Sequence, residues 1–283
     1  MDIIENKRYG SERALYGIYD TVVNNCRFEG EEDGESALKE CRKIQVKNCF
    51  FDLRYPLWHA DGLKMEKTEM TQNCRAALWY DNDVLIRDSK LNGIKAVREC
   101  KNVTIENCEV VSPEFGWKSA GLTLKDAVLD SEYAFLESRD ISAENLNFTG
   151  KYSFQYVKNV IIKNSVLNTK DAFWHAKNVT VTDCVLDGEY SGWYSEGLTL
   201  IRCHIKGTQP FCYCKNLKLV DCTTENCDLA FEYSDVRASI NGGIVSVKNP
   251  RKGRIIADEI GETIHTADSR YPCRAKIEIR NKK

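Results

Sequence analysis

Apolar and polar positions along this chain alternate in short runs that return at a fixed interval. The runs "VLIRDSKL" from Val84, "VTIENCEV" from Val103, "LTLKDAVL" from Leu122 and "ISAENLNF" from Ile141 start nineteen residues apart. The same step continues through "VIIKNSVL" from Val160, "VTVTDCVL" from Val179, "LTLIRCHI" from Leu198 and "LKLVDCTT" from Leu217, with no insertion. Upstream, "TVVNNCRF" from Thr21, "IQVKNCFF" from Ile44 and "LKMEKTEM" from Leu63 hold the frame, with four extra residues in the acidic turn "EGEEDGE" and two near Thr71. Downstream, "VRASINGG" from Val236 and "IIADEIGE" from Ile255 keep it more loosely.

Within each run the first, third, sixth and eighth positions are mainly apolar or small, and the fifth is usually Asn or Asp. Period-two alternation is strand patterning, and the slip after the third position requires a bend at the polar fifth. The other half of each copy, as in "AFWHAKN", "SFQYVKN", "AFLESRD" and "PFCYCKN", is too short and has the wrong period for a helix. A repeat this regular predicts a solenoid. Leucine-rich repeats need longer units with a convex-side segment, and no hexapeptide rhythm supports a left-handed β-helix. The expected fold is all-β: a single-stranded right-handed parallel β-helix of 12–13 coils with a 19-residue repeat. Turns stacked ~4.8 Å apart would make a rod of roughly 60 Å. Residues 1–283 read as one β-helix domain, with 1–20 an N-terminal cap, 21–240 regular coils, and 241–283 irregular last coils and a C-terminal cap.

Stacking turns every repeat position into a column of like residues. The sixth position reads Cys26, Cys49, Thr68, Ser89, Cys108, Ala127, Leu146, Ser165, Cys184, Cys203, Cys222, which suits a narrow interior corner where reduced cysteine packs as a small hydrophobe. Cys212, Cys214, Cys222 and Cys227 have loose zinc-like spacing but occupy different columns, so no metal site is expected. A second column, including Leu57, Leu78, Val97, Phe135, Phe154, Phe173 and Phe211, carries no charge and faces inward. The next one holds all five tryptophans, Trp58, Trp79, Trp117, Trp174 and Trp193, together with Lys39, Arg98 and Gln155, so it is expected to face outward or sit on a bend. The column after that, with His59, Tyr80, Tyr156, His175 and Tyr194, is polar-tipped throughout.

Charge and composition narrow the function. With 40 basic and 42 acidic side chains the formal charge is −2, without the basic excess of a dedicated nucleic-acid binder. No apolar stretch suits a membrane span, and the N-terminus lacks a secretory pattern. Thirteen cysteines, an odd number in a long chain, fit thiols kept reduced in a cytoplasm.

The strings "GESALKE" (34–40), "YPLWH" (55–59), "RAALWY" (75–80), "KDAFWHAKNV" (170–179), "GEYSGW" (188–193), "DLAFEYSD" (228–235) and "SVKNP" (246–250) resemble a bacterial family of unknown function assigned to the pectate-lyase-like, right-handed parallel β-helix class. The resemblance spans almost the whole chain. It implies that fold and no reaction, and analogy with relatives of the superfold points toward acidic polysaccharides. Neither the clustered aspartates of a polygalacturonase nor the calcium-binding acidic group of a pectate lyase is recognisable.

Two readings of the aromatic stripe follow. In the first it contacts a carbohydrate through Trp58, Trp79, Tyr80, Trp117, Tyr156, Trp174, Trp193 and Tyr194, pyranose faces stacking on indoles while polar tips bond hydroxyls. Any catalysis would then fall to His59, His175, Glu189, Asp171 and Arg75 beside them, a histidine shuttling protons with a carboxylate. In the second the stripe is an interface, with a homodimer as the simplest partner. Neither reading calls for a cofactor.

Overall fold

A computed structural model describes residues 1–30 and 34–280; Glu31, Glu32 and Asp33 of the acidic turn lie outside the described residues. Every regular element among the described residues is a strand, and parallel strands stack into a β-solenoid of about 14 turns spaced by ~19 residues. The extra turn relative to 12–13 comes partly from the N-terminus. There Asp2–Glu5, expected in a cap, pairs in parallel with Thr21–Asn24, residue for residue nineteen apart. The chain forms two compact units, Met1–Asn147 and Phe148–Lys283.

In the first unit Val84, Val103, Leu122 and Ile141 sit over one another in register. The two sequence insertions appear where the pairing steps from Val22 to Gln45 and from Lys64 to Leu85. In the second unit Val160, Val179 and Leu198 stack likewise. The step then becomes irregular: Arg237 pairs with Arg254, and Arg254 with Lys276. The C-terminal segment still adds parallel strands at Lys252–Ala257 and Lys276–Ile279, and Gly243–Lys248 pairs with Glu259–Ile264.

The inward columns are buried as their chemistry requires. Phe154, Phe173 and Phe211 are at most 1% exposed, and burying such a side chain contributes about 1.5–3 kcal/mol. At the narrow corner the thiols of Cys203 and Cys222 donate to Val181 O and Leu200 O of the preceding turn. In the same column Ser89 and Ser165 donate to Arg87 O and Lys163 O. The slot takes a small side chain with a weak donor, so Cys, Ser and Thr replace one another in it.

The turns that carry the aromatics have an unusual backbone. Asp171, Phe173 and His175 all have φ near +55 to +60°, as do Tyr152, Phe154 and Tyr156 one turn earlier. Bulky residues avoid this region at a cost of roughly 1–2 kcal/mol each. The compensation lies in the hydrogen bonds. Asp171 N and His175 N donate forward to Glu189 O and Trp193 O, whereas Phe173 N donates backward to Ser153 O. Alternating φ turns successive N–H groups toward opposite neighbours, and the buried turn leaves none of these donors orphaned.

Candidate functional site

Each unit carries one cluster of the repeated aromatics. In the first unit Trp58 and Trp79 stack at 5.3 Å with an 11° interplanar angle. Lys39 Nζ lies 4.0 Å from the centre of the Trp58 ring and the Arg98 guanidinium 5.0 Å from that of Trp79. The two indoles and two cations of one column therefore form a closed stack, a ring–ring contact in the middle with a cation–π contact at either end. His59 and Tyr80, exposed in the next column, lie 5.1 Å apart. Trp117 is half-buried, with its Nε1–H donating to Tyr133 O at 2.6 Å.

The second unit holds a longer ladder. Tyr156 and His175 stack at 5.0 Å and 4°, His175 and Tyr194 at 5.0 Å and 6°, and Tyr194 and Tyr213 at 4.6 Å and 9°. Tyr156 is 50% exposed and Tyr194 45%. Beside them Trp174 and Trp193 stack at 5.6 Å and 4°, half-buried. Their indole N–H groups donate to Tyr190 O and Gln209 O of the following turn at 3.1 and 2.8 Å.

This geometry alters how the stripe can meet a ligand. Turns stacked at strand spacing place like rings at van der Waals distance, so the rings cover one another's faces. What reaches solvent is a row of ring edges carrying hydroxyls and imidazole nitrogens. Flat stacking of a sugar on an indole, the expected mode, has no free face between Trp58 and Trp79 or between Trp174 and Trp193.

The five acid–base candidates divide between the units. His59 and Arg75 are exposed in the first, and no hydrogen bond or ion pair joins them among the described residues. In the second, Asp171 is 8% exposed, while His175 and Glu189 are exposed. Burial pushes the Asp171 carboxyl above its ordinary value; Lys170 opposes that and Glu189 adds to it. The structure brings Asp171 and Glu189 onto adjacent turns through a backbone bond of 2.8 Å. It shows no side-chain hydrogen bond from either to His175. No three His, Cys, Asp or Glu side chains converge on a metal position among the described residues.

One buried ionisable group had no sequence signal. Asp81 is fully buried in the small-residue column that reads Cys41, Ala60, Cys100 and Ser119 on other turns. Its Oδ1 accepts from Ala60 N at 2.8 Å and its Oδ2 has no partner. Burial drives its pKa well above the ordinary carboxylate range, partly offset by the backbone N–H groups of Ala60 and His59. The indole N–H groups of Trp58 and Trp79 are likewise buried without partners.

Among solved structures the chain is similar to a mutant tailspike protein of Escherichia coli bacteriophage HK620 in complex with a pentasaccharide, at 10% identity and a TM-score of 0.53, covering 97% of this chain and 72% of that one. It is also similar to PfbA, a surface adhesin of Streptococcus pneumoniae, at 9% identity and a TM-score of 0.44, covering 88% and 85%. A third is the A-module of the Azotobacter vinelandii mannuronan C-5 epimerase AlgE6, at 11% identity and a TM-score of 0.35, covering 99% and 89%. The comparison with curated proteins gave no match. At these identities the likeness concerns the fold, with the tailspike's carrying the comparison. Residues 2–278 match the family described as protein of unknown function (DUF3737), and the chain belongs to that family.

Proposed function

We propose that the protein is a carbohydrate-binding β-solenoid whose contact surface is the polar-edged ladder of Tyr156, His175, Tyr194 and Tyr213, backed by Trp174 and Trp193. The observation that carries this reading is the regular row of near-parallel rings at 4.6–5.0 Å with exposed edges. Each turn offers one hydroxyl or imidazole edge, and a glycan lying along the row offers each rung a set of ring hydroxyls. Recognition is then by hydrogen bonding to edges, with the apolar bodies of the rings spent on one another. The pentasaccharide of the tailspike illustrates a ligand that a protein of this fold can hold; for this chain the reading rests on its own ladder. Should the site turn a substrate over, His175, Asp171 and Glu189 would be its acid–base groups. A reducing, cytoplasmic setting belongs to the same proposal, supported by thirteen free cysteines.

A second reading, the ladder as an interface between copies of the chain, is favoured by its tyrosines, a residue type enriched at interfaces. A glycan array followed by titration of tryptophan fluorescence separates the two, because Trp174 and Trp193 stand next to the contact edges. The expected result is a saturable change with at least one glycan, weakened about tenfold or more in Tyr194→Ser by loss of both hydroxyl and ring. No response to any glycan, together with a dimer in light scattering that Tyr194→Ser converts to monomer, would establish the interface instead.

A further inference from the structure

Four exposed cations stand directly over one another on the last parallel strands of the second unit. Lys218 on Leu217–Glu225 pairs with Arg237 on Asp235–Ile240, Arg237 with Arg254 on Lys252–Ala257, and Arg254 with Lys276 on Lys276–Ile279. On the turns before Lys218 the same column holds Thr180 and Thr199, so the charge is not a product of the repeat. Like charges directly opposite on neighbouring strands are destabilising. At several other positions opposite signs face one another, as in Arg87 against Glu106 and Lys90 against Glu109, and the like-charged pair Lys158 against Lys177 is followed by Glu196.

Little in the surroundings neutralises the column. Arg254 is paired with Glu278 at 2.6 Å, whereas Lys218, Arg237 and Lys276 have no carboxylate within ion-pair distance among the described residues. Nearby Asp235 is occupied by Arg251 at 2.5 Å and Lys252 at 3.3 Å. Burial pushes the Asp235 carboxyl upward, and the hydrogen bonds from Arg251 and Lys252 outweigh it and hold the group below its ordinary value. Two adjoining grooves, of about 630 and 600 Å³, run beside the column, and Lys218, Arg237 and Gly253 line both. Gly253 has φ +114°, and a Cβ there would overlap the Val236 carbonyl oxygen. The position is therefore bare backbone between the side chains of Lys252 and Arg254. Val220, 41% exposed, and Ile256 give the second groove an apolar edge.

We propose that this column is a binding site for an extended acidic polysaccharide of the polyuronate class, lying across the strands with one carboxylate per turn. The proposal is independent of the aromatic ladder, because its groups sit on the strands and not on the turns. Strands stack ~4.8 Å apart, and a 1,4-linked uronate places one carboxylate per pyranose, a length of the same order. Arg237 presents the planar fork that takes a carboxylate through two parallel bonds, Lys218 and Lys276 act as point charges, Arg254 is held by Glu278 through Nε and Nη2, and the apolar edge faces the C–H side of a sugar ring. A single-stranded nucleic acid also carries regular charge, but its binders supply aromatic platforms for the bases. The positions flanking this column offer Val220, Ser239 and Ile256 instead.

The test is binding of the full chain to polygalacturonate, alginate, a neutral 1,4-glucan and an oligothymidylate over a range of salt. Polygalacturonate or alginate should bind at low salt with affinity falling as salt rises, and the glucan should not compete. The double variant Lys218→Gln with Arg237→Gln should bind about tenfold or more weakly, with a shallower salt slope, because two released counterions are lost. Lys163→Gln, on an exposed strand position of the same unit, should leave polyuronate binding intact. Loss in the Tyr194→Ser variant but not in the double variant would move the site to the aromatic ladder and overturn the column. So would absence of polyuronate binding at low salt, an unchanged affinity in the double variant, or tighter binding of oligothymidylate than of either polyuronate.

Discussion

A single carboxyl, Asp81, shows how little a solenoid interior tolerates at one position. The slot is built for a small side chain, and Asp81 enters it with one oxygen bonded to Ala60 N and the other unpartnered. Desolvation favours the protonated form, which keeps the pKa of the folded state above that of the unfolded chain. Below the ordinary carboxylate range both states are protonated and the folded protein has its full stability. As pH rises past the unfolded pKa, the unfolded chain releases the proton first, and stability falls by up to about 1.4 kcal/mol per pH unit until the folded pKa is passed. Asp81→Asn removes this slope. Urea midpoints at pH 5 and pH 8 should therefore diverge more in the wild type than in the variant, and parallel shifts in the two proteins would show that the carboxyl is solvated.

At the scale of the element, the aromatic turn works as a stacked unit, and its members are not equivalent. Trp193 closes a hydrogen bond to Gln209 O, whereas the Trp58 indole N–H is buried without an acceptor. Replacing either by Phe removes some apolar area. Only Trp193→Phe also takes a strong donor from a carbonyl, leaving Gln209 O with the weaker Cys212 thiol, a further cost of up to about 1 kcal/mol. Trp58→Phe, by contrast, removes an unmet polar group. Unfolding midpoints of the two variants should rank Trp193→Phe below Trp58→Phe; the reverse order would mean that the Trp58 nitrogen has found water. The columns themselves were legible in the sequence, because nineteen-residue spacing puts Val84, Val103 and Leu122 in register whatever the side chains do. The conformation of the turn was not: nothing in "AFWHA" announces that Phe173 and His175 adopt positive φ, since that choice is imposed by hydrogen bonds to the turns on either side. Nor does a pattern of outward aromatics reveal that the rings face one another. The cation column escaped for another reason. From Lys218 its members follow at Arg237, Arg254 and Lys276, unequal steps that leave the nineteen-residue frame and become a column only through strand pairing. Asp81 gave no sign because a one-residue exception in a column of Cys, Ala and Ser reads as ordinary variation.

For the whole molecule, the narrow corners and inner columns decide the behaviour of the thiols. Twelve of the thirteen cysteines are buried, and Cys273 alone is partly exposed. Burial, offset in part by backbone and side-chain donors, pushes Cys41, Cys74, Cys214 and Cys227 up to about 12 and Cys49 and Cys184 up to about 11. At pH 8 these groups are thiols without access to reagent, and the thiolate is the reactive form. Labelling with an aromatic disulfide reagent at pH 8 should therefore modify at most one thiol per folded chain, and that one should map to Cys273. All thirteen should react in denaturant. Because each turn is held by its immediate neighbours, a solenoid that frays from an end exposes its corner cysteines in order of position. Slow labelling that begins at Cys26, next to the first coil, and leaves Cys108 and Cys184 for last would follow from that design. Rapid modification of several cysteines at once in the native protein would show instead that the corners open together, and the packed columns on which the fold rests would not be closed.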